Sequence, residues 1–287
     1  MKGPLGESPG STPEPTGYNQ LPGSTTNVSA SQMAAVKVIL RGLRSFDAAD
    51  ADFFLSLLPG PRDREGLPEN IRFWLTRPEQ TDPAETFSVG LVYGPSGCGK
   101  SSFIKAGLLP LLGAHVLPIY VESTADATEA RLMAALTKHC PHLPQAEGLR
   151  GALASLRRGQ ALPAGKKIFI VLDQFEQWLH ARKATPGSDL VEALRQCDGG
   201  RVQCLVLVRD DFWMAATRFM GELEFPLVEG HNSAAVDLFP MRHAEKVLAA
   251  FGRAFGTLPD EPGTMAREHR LFLEQAVSGL AQDGKVI

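Results

Sequence analysis

Gly94-Pro-Ser-Gly-Cys-Gly-Lys-Ser101 lies between Phe87-Ser-Val-Gly-Leu-Val-Tyr93, an apolar run of strand length, and residues 102–112, which read as a helix. The octapeptide satisfies G-x-x-x-x-G-K-[ST], and a strand before it with a helix after it is the context that pattern demands. Glycines at 94, 97 and 99 let the backbone curl so that successive N–H groups point inward, and the helix dipole adds positive potential where phosphates would sit. Lys100 contributes a point charge toward the β- and γ-phosphates, and the Ser101 hydroxyl is a hard oxygen ligand for magnesium. The expected nucleotide cradle is thus Gly94, Pro95, Ser96, Gly97, Cys98, Gly99, Lys100, Ser101 and Ser102, with no chemistry of its own asked of Cys98. A glycine-rich turn that merely joins strand to helix would rarely arrive with both flanking elements.

A phosphate loop of this kind needs a carboxylate to hold the metal, usually at the tip of an adjacent apolar strand. Lys167-Ile-Phe-Ile-Val-Leu-Asp173 supplies one, 73 residues beyond Lys100. A strand candidate at 116–122 intervenes, so the chain visits the sheet elsewhere first, which suits the P-loop ATPases with an additional strand. Hydrolysis also needs a group to orient water, and Glu176 is the nearest carboxylate with the right reach. Its competing role is to favour the first turn of the next helix, and Gln174 is a second group able to meet water or the γ-phosphate. The run Gln203-Cys-Leu-Val-Leu-Val208 ends in Arg209-Asp-Asp-Phe-Trp213, which puts a guanidinium at the carboxyl edge of the sheet, where ligands bind in such folds. Arg209 suits bidentate phosphate contact, with an ion pair to Asp210 or Asp211 as the alternative. Phe212 and Trp213 read as packing anchors.

Around these motifs the strand candidates are 87–93, 116–122, 167–172, 202–208 and 234–238, and the helix candidates between them are 100–112, 127–139, 147–157, 188–197 and 211–222. Continuous apolar runs such as Ile168-Phe-Ile-Val-Leu172 suit strands buried on both faces. Asp126 and Glu129 are spaced as a capping box for the second helix. The alternation predicts an α/β fold, a P-loop NTPase three-layer sandwich on a mostly parallel five-stranded sheet. Residues 1–30, rich in Gly, Pro, Ser, Thr and Asn, read as a disordered tail. Order is expected from about residue 31, and 31–85 form a helical segment in which Phe46, Phe53, Phe54, Leu55 and Leu58 share a face. The NTPase core is expected over 86–240. After Pro240 strand signals stop, and helices at 244–255 and 267–280 read as the start of a helical lid over 241–287.

Composition narrows the function classes. Of 287 residues 44% are apolar, enough for a sizeable core, and 29 basic residues face 32 acidic ones. That balance lacks the basic footprint of a nucleic-acid binder. No run of about 18 apolar residues is present to span a bilayer, and the N-terminus has no apolar signal segment. Four cysteines without a CxxC pair fit a reducing, cytoplasmic compartment. His139-Cys140-Pro141-His142 lacks a fourth ligand at metal spacing and reads as the polar end of a helix.

Arg41-Gly-Leu-Arg-Ser-Phe-Asp47, Asp52-Phe-Phe54, the phosphate loop with Lys105-Ala-Gly-Leu-Leu-Pro110, Val171-Leu-Asp-Gln-Phe-Glu176 and Val208-Arg-Asp-Asp-Phe212 together resemble the novel STAND NTPase domain. This is a bacterial branch of the signal-transduction ATPases with numerous domains, and the resemblance covers about residues 35–287. It implies a switch in which ADP holds a closed form, ATP an open or homo-oligomeric one, and hydrolysis is slow. Lys100 and Ser101 match its phosphate and magnesium residues, Asp173 its acidic-strand residue, and Arg209 its sensor arginine. Residues 41–47 match a segment that approaches the nucleotide base, with no single base contact assigned. Family members are commonly fused to serine/threonine kinase, WD-repeat or sulfatase-modifying-like effector domains. Where many relatives carry a glycine-arginine pair after Phe-Phe, this chain has Leu55-Ser-Leu-Leu-Pro-Gly-Pro-Arg62, and it stops at Ile287 before the winged-helix region, as a fragment or a minimal member would. A nucleotide-independent docking module is the competing reading. A transporter ATPase fits less well, since no LSGGQ-like signature precedes Asp173 and Gln174 stands where such enzymes put Glu, and a small-molecule kinase lacks its arginine lid.

Overall fold

The computed structural model describes residues 44–80, 82, 85–144, 146–182 and 188–286. The chain divides into Met1–Ala35 and Val36–Ile287, and every described residue lies in the second unit. The expected tail at 1–30 and the expected onset of order near residue 31 fall outside the described residues.

The amino-terminal segment begins with a capping box, in which the Asp47 side chain accepts from Ala49 N–H and Asp50 from Asp47 N–H, opening the 3-10 turn Ala48–Asp50. Helices α1 (Ala51–Leu57) and α2 (Glu69–Glu79) follow. Strand β1 (Val89–Gly94) leads through the phosphate loop into α3 (Lys100–Ser102). The expected single helix over 100–112 is corrected here: after one α-turn it widens to a π-helix, Phe103–Leu108, and closes as a 3-10 turn, Leu109–Leu111. Apolar spacing does not distinguish these hydrogen-bond registers, and Pro110 has no N–H to continue a ladder.

Strands β2 (Val116–Glu122), β3 (Lys167–Asp173), β4 (Val202–Arg209) and β5 (Ser233–Ala235) complete the main sheet, with α4 (Thr128–His139) and α5 (Gly148–Arg157) before β3. Helices α6 (Glu176–Ala181) and α7 (Asp189–Leu194) precede β4, and α8 (Trp213–Leu223) precedes β5. The strand order is β2-β3-β4-β1-β5 and every pairing is parallel. β4 therefore lies between the phosphate-loop strand and the Asp173 strand, which is the additional strand expected from spacing. The fifth strand is shorter than its expected span of 234–238, because Asp237 and Leu238 leave the edge toward the C-terminal helices.

Side-chain alternation builds the three layers. Ile168, Ile170 and Leu172 of β3, with Cys204, Val206 and Val208 of β4, pack under α4, α5, α7 and α8. Phe169, Val171, Leu205 and Leu207 face the other way, onto α1, α2 and the phosphate-loop helix. Both faces of the central strands are apolar because both are covered.

Helix α4 starts differently from its expected capping box. Its N-cap is Ala127, which has no side-chain acceptor. Thr128 Oγ1 closes the turn instead, accepting from Thr124 N–H at 2.9 Å and donating to Thr124 O at 2.7 Å. Glu129 is drawn away by a tertiary partner, the Trp178 indole N–H at 2.9 Å. At the other end Cys140 is buried in the core, so only His139 and His142 form the expected polar end. Among the described residues no group of three or more His, Cys, Asp or Glu is set to hold a metal ion.

Beyond Pro240 come α9 (Met241–Ala254) and α10 (Arg267–Leu280), close to their expected spans. The expectation that strands cease there is corrected by a small antiparallel sheet of β6 (Phe239–Pro240), β7 (Ala281–Gln282) and β8 (Lys285–Val286), in the order β6-β8-β7. Two-residue strands carry too little alternation to be read from sequence. Helix α9 meets α1 through Phe251 and Phe53, whose ring centroids are 5.2 Å apart, and through His243 Nε2 at 2.7 Å from Leu57 O. Among the described residues no helix is long and apolar enough to cross a membrane.

Candidate functional site

The parallel sheet delivers β1, β3 and β4 to one carboxyl edge, and the side chains expected from sequence gather there around a cavity of about 460 Å³. Its lining includes Ser96, Gly97, Gly99, Lys100, Ser101 and Ser102 from the phosphate loop. Asp173 and Glu176 from the β3 exit and Arg209 from the end of β4 complete it. Gly94, Pro95 and Cys98 do not line it; they shape the loop beneath.

Loop geometry explains the glycines. A Cβ on Gly94 would lie 1.9 Å from the Val236 carbonyl oxygen, so the chain leaving β5 requires glycine there. Gly97 and Gly99 have φ of 80° and 92°, and Gly99 is the N-cap of α3. These are conformations that other residues adopt only at a cost. The Lys100 ammonium donates to the carbonyls of Gly94 at 2.7 Å and Pro95 at 2.8 Å, beside the Cys98 thiol at 3.7 Å. Burial, before any other cause, pushes that thiol above its ordinary pKa, so Cys98 stays neutral. Ser102 is engaged elsewhere, its Oγ accepting the Phe46 N–H at 3.1 Å.

Asp173 is only 2% exposed. Its Oδ1 accepts the Gln174 N–H at 2.8 Å and its Oδ2 accepts the Tyr120 hydroxyl. Burial and then the Asp173 charge push the Tyr120 phenol well above its ordinary pKa, and the Ser101 hydroxyl, which interacts with the same oxygen, opposes them. Tyr120 is therefore a permanent donor to Asp173, one of the two expected magnesium ligands, and Ser101 lines the same cavity. The donor set of hydroxyl and carboxylate oxygens matches a hard cation.

Gln174 adopts φ 52°, a left-handed conformation that costs about 1 kcal/mol outside glycine. It lines this cavity and a neighbouring one of about 500 Å³. Glu176 opens α6 and is 8% exposed, with Oε2 lacking a hydrogen-bond partner among the described residues. Burial raises its carboxyl above the ordinary value, and nearby Asp173 adds to this; its own backbone N–H, Lys100 and the Arg209 N–H oppose it. Arg209 donates to Asp211 at 2.6 Å and lies 5.9 Å from the Phe212 ring centre, so its ion pair coexists with a place in the cavity wall. Trp213 packs on Tyr93, centroids 4.5 Å apart, as an anchor. The arrangement can bind an anion along the loop and α3, hold a hard cation between Ser101 and Asp173, and offer a buried carboxyl as a base.

A family model described as Novel STAND NTPase 1 matches residues 40–251. The chain belongs to this family. No curated protein matches it significantly. Among solved structures it is similar to the Walker-type ATPase paby2304 of Pyrococcus abyssi, at 16% identity and a TM-score of 0.51, over 80% of this chain and 67% of that one. It is also similar to the ORC2 protein of Aeropyrum pernix in its ADP form, at 17% identity and a TM-score of 0.51, over 80% of this chain and 61% of that one. At such identities the likeness shows the shared P-loop ATPase fold. The chain spans only about two thirds of the length of these solved relatives.

Within the STAND domain, sequence reasoning missed Tyr120 and Gln177, and it offered Arg44 and Ser45 only as part of the segment 41–47. Arg44, exposed and just before Phe46, lines both cavities with Ser45. Of the segment 41–47 matched to a base-approaching stretch, these two line the cavity with Lys100, Ser101 and Asp173, while 41–43 lie outside the described residues. The available signal for Tyr120 was a polar-tipped aromatic near the carboxyl end of a strand, where ligands of parallel sheets bind.

Proposed function

We propose that this STAND NTPase binds ATP and ADP with magnesium and hydrolyses ATP slowly, as a cytoplasmic regulatory switch in bacterial signalling. The observation that carries this reading is the convergence of Lys100, Ser101, Asp173, Glu176 and Arg209 on one cavity. Lys100 would exchange its bonds to the loop carbonyls for the β- and γ-phosphates. Ser101 and Asp173 would hold magnesium, which when bound offsets charge on the phosphates. Glu176 would orient the attacking water, and Arg209 would meet the γ-phosphate once released from Asp211. The output would be conformational, with α9 and α10 as the start of a lid, and its effectors would be fused signalling domains or a homo-oligomer in the ATP form.

Binding of ATP and ADP to the purified chain, measured calorimetrically, tests this. We expect Lys100→Ala to weaken both by ~10–100-fold, the value of a lost charge-assisted hydrogen bond or two. A folded chain without nucleotide affinity would sink the reading and leave the docking module in its place.

A further inference from the structure

The side chain that holds the Asp173 carboxylate comes from neither motif. Tyr120 lies on β2, next to β3, in register with Val171, and its hydroxyl crosses to Asp173 at the strand end. The ring is held from above by the Lys105 ammonium, 4.6 Å from its centre, and Lys105 is itself fixed by Glu122 at 3.0 Å and Ser45 at 3.4 Å. The phenol therefore has little freedom to turn away.

A carboxylate rotates easily about its last torsion. With Gln174 N–H on Oδ1 as the only bond, the direction of Asp173 Oδ2 would be set weakly. We propose that Tyr120 is a positioning residue for magnesium: its hydroxyl fixes the Asp173 carboxylate in the direction from which it would share the ion with Ser101. A carboxylate oxygen accepts more than one hydrogen bond, so the phenol can remain in place while Asp173 serves the ion or its water shell. Outer partners of this kind typically contribute 10–100-fold to metal affinity. A tyrosine that instead competed with the metal for Asp173 would act in the opposite direction.

The inference rests on the nucleotide-and-magnesium reading, and one titration separates the two. ATP affinity is measured from EDTA through rising magnesium for the unmodified chain and for Tyr120→Phe, which keeps the ring under Lys105 and removes only the hydroxyl. We expect equal ATP affinity in EDTA, which shows an intact fold and loop, and a magnesium midpoint raised about 10-fold in the variant. An unchanged or lowered midpoint overturns the inference while leaving the nucleotide site standing. No ATP binding by the unmodified chain at any magnesium concentration overturns both. Should the Phe chain fail to fold, the sequence has only three tyrosines, and 3-fluorotyrosine labelling with Tyr18→Phe and Tyr93→Phe isolates the Tyr120 resonance. That resonance moves when magnesium joins ATP-saturated protein; a resonance blind to magnesium overturns the proposal.

Discussion

Glu176 is costly to the fold, since a carboxyl that is 8% exposed has one oxygen without a partner among the described residues, and the backbone N–H groups and Lys100 nearby offset its burial only in part. An acid whose folded pKa is raised keeps its proton where the unfolded chain has lost it, so stability falls as pH rises through the window that opens at the ordinary glutamate value near ~4.3. Above that window the penalty is fully present. Glu176→Gln should therefore melt higher than the parent at neutral pH, by about 1 kcal/mol, and the advantage should vanish in acid below the window. The same variant should slow ATP turnover by ~10²–10⁴-fold while nucleotide binding persists. Gain in stability with loss of turnover marks a group retained for chemistry. Unchanged turnover would move the water-orienting role elsewhere, with Gln174 next in line.

At the scale of the strand, β3 opens on a second buried charge. Lys167 is 4% exposed, its ammonium donates to Gln80 O at 2.9 Å, and burial lowers its pKa to about 8 against the opposing pull of Asp198 and Glu79. Between about 8 and the ordinary lysine value near ~10.4 the unfolded chain holds a proton that the folded chain has released. Stability should thus rise with pH across that interval, the charged form being penalised below it. Lys167→Met should melt higher at pH 7, by about 1–3 kcal/mol, and lose that advantage by pH 11 in thermal denaturation. An equal gap at both pH values would mean that packing, not charge, separates the two chains. Lys167 also shows what sequence can and cannot convey about elements. Strands β1, β3 and β4 were legible because apolar runs covered on both faces have no other stable place. The register of the phosphate-loop helix, the start of α4 and the two-residue strands were not, because each is decided by a partner far along the chain or by too few residues. The site divides in the same way. Lys100, Asp173 and Arg209 announce themselves at strand ends, whereas Tyr120 meets Asp173 from 53 residues away.

Across the whole molecule, Phe46 ties the phosphate loop to the C-terminal helices. Its backbone N–H binds Ser102 Oγ at 3.1 Å, while its ring meets Phe53 at 6.3 Å, Phe54 at 5.5 Å and Phe251 of α9 at 6.1 Å. Arg44 and Ser45 reach the cavity wall from the same short segment. A change at the phosphate loop therefore has a continuous packed route to α9, through one residue whose backbone serves the loop and whose ring serves the helix. Phe46→Ala keeps the backbone bond and removes the ring. It should loosen α9 from α1 at a cost of about 1.5–4.5 kcal/mol, since three aromatic contacts are lost. Hydrogen exchange should then rise across 241–254 while the strands of the main sheet stay protected. Any dependence of that exchange on ATP against ADP in the parent should weaken in the variant, because the ring is the link between the two ends. If exchange in α9 is unaltered, the contact through Phe53, Phe251 and His243 holds the helix by itself, and communication between the loop and α9 runs by another path.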